Sequence, residues 1–127
     1  WIGDTNPFAV LRGAVGTGKT VLACHAAAEM IRRTGRSGVV IREGDMRGFN
    51  WDLPHDAIVI LDDLGNLTGQ AVLENVQALV ADRFARDQRT IITTNHTVDS
   101  MIDAYGMNLV DRFRIAVNLE MVGESRR

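Results

Sequence analysis

Apolar residues along this chain come in short unbroken runs separated by longer amphipathic stretches. Phe8–Leu11, Val39–Ile41 and Ala57–Leu61 are such runs, and Thr90–Thr94, every residue of it β-branched, reads as a fourth strand. Strands buried on both faces read this way, because neither face requires polar residues. Arg114–Leu119 supplies a fifth candidate strand. Between the first two runs, Lys19 to about Arg33 reads as a helix. It is rich in alanine and apolar on most sides through Val21, Leu22, Cys24, Ala28 and Ile31. Arg32 and Arg33 close it, where cations complement the helix dipole. A second helix from about Gln70 to Arg86 places Val72, Val76, Leu79, Val80 and Phe84 on one face, and a short third lies near Val98 to Ala104. The stretch from Glu43 to Asp56 has no clear period and contains Gly44, Gly48 and Pro54, so it is expected to be mostly loop. Strands alternating with helices predict an α/β fold, a mostly parallel five-stranded sheet flanked by helices.

Composition narrows the class without naming a chemistry. At 127 residues, with 46% hydrophobic and 24% charged residues, the chain suits one globular domain over 1–127. The formal charge of −2 provides no overall attraction for nucleic acid, so contact with a phosphate backbone would require a local basic patch. Cys24 is the single cysteine, which excludes an internal disulfide and fits a reducing, cytoplasmic setting. No stretch approaches the roughly 20 apolar residues of a membrane span, and no signal peptide is recognisable. Because the chain opens at Trp1, a preceding N-terminal region is expected.

The chemistry is concentrated in three places, each at the end of a predicted strand. Gly13-x4-Gly18-Lys19-Thr20 matches the phosphate-binding P-loop pattern between a strand and a helix. Glycines let backbone N–H groups close around phosphate oxygens, and the helix start adds a positive dipole end. Lys19 is expected to reach the β- and γ-phosphates and the Thr20 hydroxyl to ligate Mg²⁺. The nucleotide contacts expected are Gly13, Val15, Gly16, Thr17, Gly18, Lys19, Thr20 and Val21. Asp62 and Asp63 end the Ala57–Leu61 run; Asp62 is expected to hold the metal and Asp63 to orient or deprotonate the attacking water, against the alternative of a solvated turn. Asn95 ends the fourth strand and suits a γ-phosphate contact or a helix N-cap, for which Thr97 and Asp99 are also suitable. His96 reads as a capping or packing histidine.

Taken together these residues resemble the AAA+ ATPases of the DnaC/DnaI/IstB type, replicative helicase loaders and transposition helpers. The resemblance spans about Phe8 to Arg127. It rests on Ile60-Leu61-Asp62-Asp63-Leu64-Gly65, on Asp82-Arg83-Phe84 before Thr90–Asn95, on Asp111-Arg112-Phe113 and on the closing Gly123-Glu124-Ser125-Arg126-Arg127. It implies a P-loop NTPase fold with an AAA+ core, and ATP and Mg²⁺ as cofactors. Lys19 and Thr20 become Walker A residues, Asp62 and Asp63 Walker B, and Asn95 sensor 1. It further implies Arg112, or else Arg114, as an arginine finger for a neighbour's ATP, and Arg127 as sensor 2. Self-assembly on ATP binding follows, with a replicative helicase or a transposase as partner.

Asp63 stands where most AAA+ proteins carry Glu, and the region after Glu43 is shorter than the one loaders use on single-stranded DNA. Arg32, Arg33, Arg36, Arg42 and Arg47, followed by Phe49 and Trp51, are ingredients for single-strand binding, or else solvated charges beside a packed pair of aromatics. A P-loop small-molecule kinase and an inactive nucleotide-binding scaffold are the readings from other classes.

Overall fold

A computed structural model describes residues 6–14, 16–48, 53, 56–65 and 70–121. Five strands, β1 (Phe8–Gly13), β2 (Gly38–Arg42), β3 (Ile58–Leu64), β4 (Thr90–Thr94) and β5 (Val117–Met121), form one sheet in the order β2-β3-β4-β1-β5. Every neighbouring pair is parallel, so the mostly parallel sheet expected from sequence is parallel throughout. Parallel strands need crossovers. These are supplied by α1 (Lys19–Thr34), a 3-10 helix (Glu43–Gly48), α2 (Gln70–Ala85), α3 (Val98–Tyr105) and α4 (Met107–Arg114).

Strand alternation divides the apolar runs between two cores. Leu11, Ile58, Ile60 and Ile91 face α1 and meet Ala23, Ala27 and Met30. Phe8, Val10, Val59, Leu61 and Ile92 face the other side, where α2, α3 and α4 contribute Val72, Val76, Leu79, Met101, Tyr105, Leu109 and Phe113. Successive strand residues point to opposite faces, so a run such as Ile58–Leu61 serves both cores.

Three sequence expectations are corrected. The Glu43–Asp56 stretch is not simply loop, since Glu43–Gly48 is a 3-10 helix; Phe49 and Trp51 lie outside the described residues. The fifth strand begins at Val117 rather than Arg114, because residues 107–114 form α4 and carry Arg114 with them. In α1 the buried apolar face is Ala23, Ala27 and Met30, whereas Val21, Leu22, Cys24 and Ala28 are exposed. A helix packed on one face of a sheet buries one stripe, whatever its remaining sides carry.

Arg83, on α2, fastens the edge of the sheet where β3 and β4 begin. It is 2% exposed. Its Nε donates to Thr90 Oγ1 at 2.8 Å, and its Nη2 donates to the carbonyls of Ala57 and, at 2.9 Å, Arg89. Burial pulls the guanidinium down to about 10, against the opposing pull of Asp82 and Asp56, so it stays charged at neutral pH. Arg83→Ala leaves these acceptors without their donor and is expected to lower unfolding free energy by about 3–5 kcal/mol in a denaturant titration. A loss below about 1 kcal/mol would show that water replaces the guanidinium.

Candidate functional site

The phosphate-loop sequence leaves the sheet at Gly13, the last residue of β1, which lies between β4 and β5. A Cβ at Gly13 would meet the Met121 carbonyl oxygen at 2.6 Å and Thr17 Oγ1 at 3.0 Å, so glycine lets the end of β5 lie against the start of the loop. Thr17 folds the loop back on itself, with its N–H at 3.3 Å and its hydroxyl at 2.8 Å from the Ala14 carbonyl. Gly18 then turns the chain into α1 at φ 86°, a left-handed conformation that disfavours other residues. No side chain hydrogen-bonds as an N-cap at Gly18. The first-turn amides of α1 are thus left to other acceptors.

Lys19 is 7% exposed, and its Nζ donates to the Gly13 and Ala14 carbonyls, both at 2.9 Å. Burial lowers its pKa, while Asp63 and Asp62 pull it back up. Val15 lies outside the described residues.

The acidic pair sits inside β3, at an irregularity in its ladder with β4. Leu61 pairs with Ile92 but Leu64 pairs with Thr94, so β3 carries one extra residue across this interval. That is a β-bulge, a device that re-aims side chains near functional sites. Asp63 occupies it at φ 59° with its side chain exposed, whereas Asp62 is 6% exposed. Two threonines of β4 complete the local hydrogen bonding. Thr93 Oγ1 donates to Asp62 Oδ1 and accepts from the Asp63 N–H, both at 2.7 Å. Thr94 Oγ1 donates to the Leu64 carbonyl at 2.7 Å. Sequence reasoning read these threonines only as strand. Their signal was a pair of hydroxyls ending an apolar strand whose neighbour ends in two carboxylates.

Thr20 Oγ1 donates to Asp62 Oδ1 at 2.8 Å, which joins the two candidate metal ligands across 42 positions. Among the described residues no group of three or more His, Cys, Asp or Glu side chains is placed to hold a metal ion. One carboxylate and one hydroxyl still suit Mg²⁺, which usually keeps several waters and takes substrate phosphates as further ligands.

Asn95 is exposed at the end of β4. The capping role open to it belongs to Thr97, whose hydroxyl accepts from the Ser100 N–H at 3.3 Å. His96 is not a cap either: its Nε2 lies 2.8 Å from the Gly65 carbonyl, and its N–H donates to Thr94 Oγ1 at 3.1 Å. Beside the loop, Val21, Leu22, His25 and Met121 join Gly16–Gly18 in lining a largely apolar cavity of about 430 Å³.

The candidate arginines lie elsewhere. Arg112 holds its guanidinium 6.0 Å from the centre of the Phe84 ring, and Phe84 packs edge-on against Phe8, ring centres 5.5 Å apart, at the far end of β1 from Gly13. At ~3.3 Å per residue the ends of this strand are roughly 16 Å apart, so Arg112 lies well away from its own phosphate loop. Arg114 pairs with Asp111 at 3.3 Å on the surface. Arg127 lies outside the described residues. Of the basic run, Arg32 and Arg33 both bind the Glu29 carboxylate and hold it down to about 2, which spends part of that charge locally. Arg36 and Arg42 are exposed.

Neither a protein-family model nor a curated protein sequence matches the chain. Solved structures do. DnaI superposes with a TM-score of 0.76 at 20% identity, covering 98% of this chain and 75% of that one. The DnaC helicase loader gives 0.79 at 19% identity, covering 94% and 81%. The replication initiator DnaA bound to AMPPCP and single-stranded DNA gives 0.73 at 17% identity, covering 97% of this chain and 42% of DnaA, so the chain spans less than half of DnaA's length. The chain therefore shares the α/β fold of these structures, a parallel five-stranded sheet flanked by helices. Among the described residues no helix is long and apolar enough to cross a membrane.

Proposed function

We propose that this AAA+ domain binds and hydrolyses ATP with Mg²⁺ and serves a protein that acts on a DNA-replication helicase. The observation that carries the catalytic part is the hydrogen bond from Thr20 to Asp62, at 2.8 Å, which sets a hydroxyl of the phosphate loop against a buried carboxylate of β3. Two metal-ligand types meet there, beside the first amides of α1 and a buried lysine.

In this reading the first-turn amides of α1 receive the phosphates, and Lys19 leaves the Gly13 and Ala14 carbonyls for their oxygens. The nucleoside lies in the cavity of Val21, Leu22 and Met121, and Arg127 serves as sensor 2. Thr20 and Asp62 would hold Mg²⁺, which when bound would neutralise phosphate charge. Asp63, exposed next to it, orients the attacking water and accepts its proton as the bond to the γ-phosphorus breaks and ADP departs with the electron pair. Asn95, relieved of capping, fixes that water or the γ-phosphate.

The DNA-replication setting rests on the resemblance to DnaC and DnaI, whose fold this chain shares. A contact with single-stranded DNA is supported by the exposed Arg36 and Arg42 and by the DNA carried by the DnaA structure of the same fold.

The test is ATPase activity with and without single-stranded DNA across a range of protein concentrations. Turnover per chain that rises with concentration, and rises again with DNA in a salt-sensitive manner, is expected. ATP binding without any turnover would defeat the hydrolase reading. Asp63→Asn is expected to keep ATP affinity and to slow hydrolysis by about 10²-fold or more; normal turnover would remove Asp63 as the base.

A further inference from the structure

Gly65, two residues beyond Asp63, is held by both sides of its backbone. Its N–H donates to Glu43 Oε2 at 3.1 Å, and its carbonyl oxygen lies 2.8 Å from His96 Nε2. A carbonyl only accepts, so this ring nitrogen carries the proton. The two gripping residues come from distant parts of the chain. Glu43 is 6% exposed, where β2 passes into the 3-10 helix, and His96 lies in the turn after β4. His96 is itself anchored, through its own N–H, to the Thr94 hydroxyl that also holds the Leu64 carbonyl. Gly65 has φ 128°, and a Cβ there would run into the His96 ring, so the close approach requires glycine. Buried Tyr105 lies near the same group; burial pushes its phenol up, and the Glu43 carboxylate adds to the effect.

The grip matters because of what precedes it. Asp63 is a non-glycine residue at φ 59° inside a bulge. Such a conformation is strained for a residue with a Cβ and persists only where the surroundings over-determine it. On the upstream side the determinant is Thr93, which accepts the Asp63 N–H. Downstream, with Leu64 paired to Thr94, the next fixed point is Gly65.

We propose that Glu43 and His96 are positioning residues which, by holding the two sides of Gly65, fix the direction of the Asp63 carboxylate; this rests on the hydrolase reading of the site. Neither touches the nucleotide. Their effect passes through the backbone from Gly65 to Asp63.

The test compares Glu43→Ala, Glu43→Gln, His96→Leu and His96→Gln with the unaltered chain, reading ATP affinity, kcat and the exchange rate of the Gly65 amide hydrogen. Glu43→Ala and His96→Leu are expected to lower kcat by about 10–100-fold, the usual consequence of losing a support behind an active group, with ATP affinity within about twofold. Glu43→Gln and His96→Gln, which keep an acceptor and a donor, are expected to recover most of the lost rate. Glu43→Ala is also expected to speed Gly65 amide exchange. An unchanged kcat in the alanine and leucine variants overturns the inference. So does a kcat that falls only in step with ATP affinity and Tm, which a merely structural role would produce. Unaltered protein that binds ATP without turnover defeats the hydrolase reading instead. In that case an unchanged Gly65 exchange rate in Glu43→Ala separately defeats the grip.

Discussion

Lys19→Ala is expected to abolish ATP turnover and to weaken ATP binding by about 10²-fold, the scale of one or two lost charge-assisted hydrogen bonds. Lys19 is 7% exposed, and its ammonium lies against the loop it would serve, 2.9 Å from the Gly13 and Ala14 carbonyls. Burial lowers its pKa, and Asp63 and Asp62 oppose that shift. A bound phosphate is expected to draw the ammonium away from these two carbonyls. The cost to folding is expected to be small. Ala14 is exposed and Gly13 only half-buried, so water can replace Nζ at both carbonyls, and unfolding free energy should fall by less than about 1 kcal/mol. Titration with ATP, hydrolysis assays and denaturant curves on the same variant separate the two effects. Undiminished hydrolysis would sink the assignment of the loop.

Arg112→Ala is expected to leave ATP affinity unchanged and to lower hydrolysis by about 10³-fold or more, the range for a finger supplied in trans. Its guanidinium stacks 6.0 Å from the Phe84 ring, toward the opposite edge of the sheet from Gly13. An arginine seated beside the Phe8 end of β1 is expected to serve the phosphate of a second copy rather than its own. A planar guanidinium suits the task because it spreads charge over phosphate oxygens as they gain it. Arg114 is the weaker candidate, since it is already paired with Asp111 at the surface. Mixing supplies the decisive measurement. Lys19→Ala chains lack the phosphate contact but retain Arg112, so adding them to Arg112→Ala chains should restore turnover. Failure of that rescue would remove the trans mechanism, and normal turnover in Arg112→Ala alone would remove the finger.

Legibility in the sequence followed the range of the interactions. The runs Phe8–Leu11, Ala57–Leu61 and Thr90–Thr94 were readable because burial on both faces favours apolar or β-branched residues locally. α4 was not, because Leu109, Val110 and Phe113 acquire an inward face only where α2 and β1 meet them. Leu22 reads as a packing residue, yet it lines the cavity beside the loop together with Val21, since the buried apolar stripe of α1 is Ala23, Ala27 and Met30. Asp62 and Asp63 were recognisable as a pair, but the bulge that separates a buried carboxylate from an exposed one depends on Thr93 and Thr94, 30 positions away.

By itself, then, the sequence determined the α/β class, the glycine loop with Lys19 and Thr20, and the acidic pair, because each is a local pattern that answers to backbone geometry or burial. Tertiary structure alone decided that all five strands run parallel, that Thr20 meets Asp62, and that Glu43 and His96 meet at Gly65. Those contacts join segments 22 to 42 residues apart, and strand order, which no local pattern encodes, brings them to one edge of the sheet.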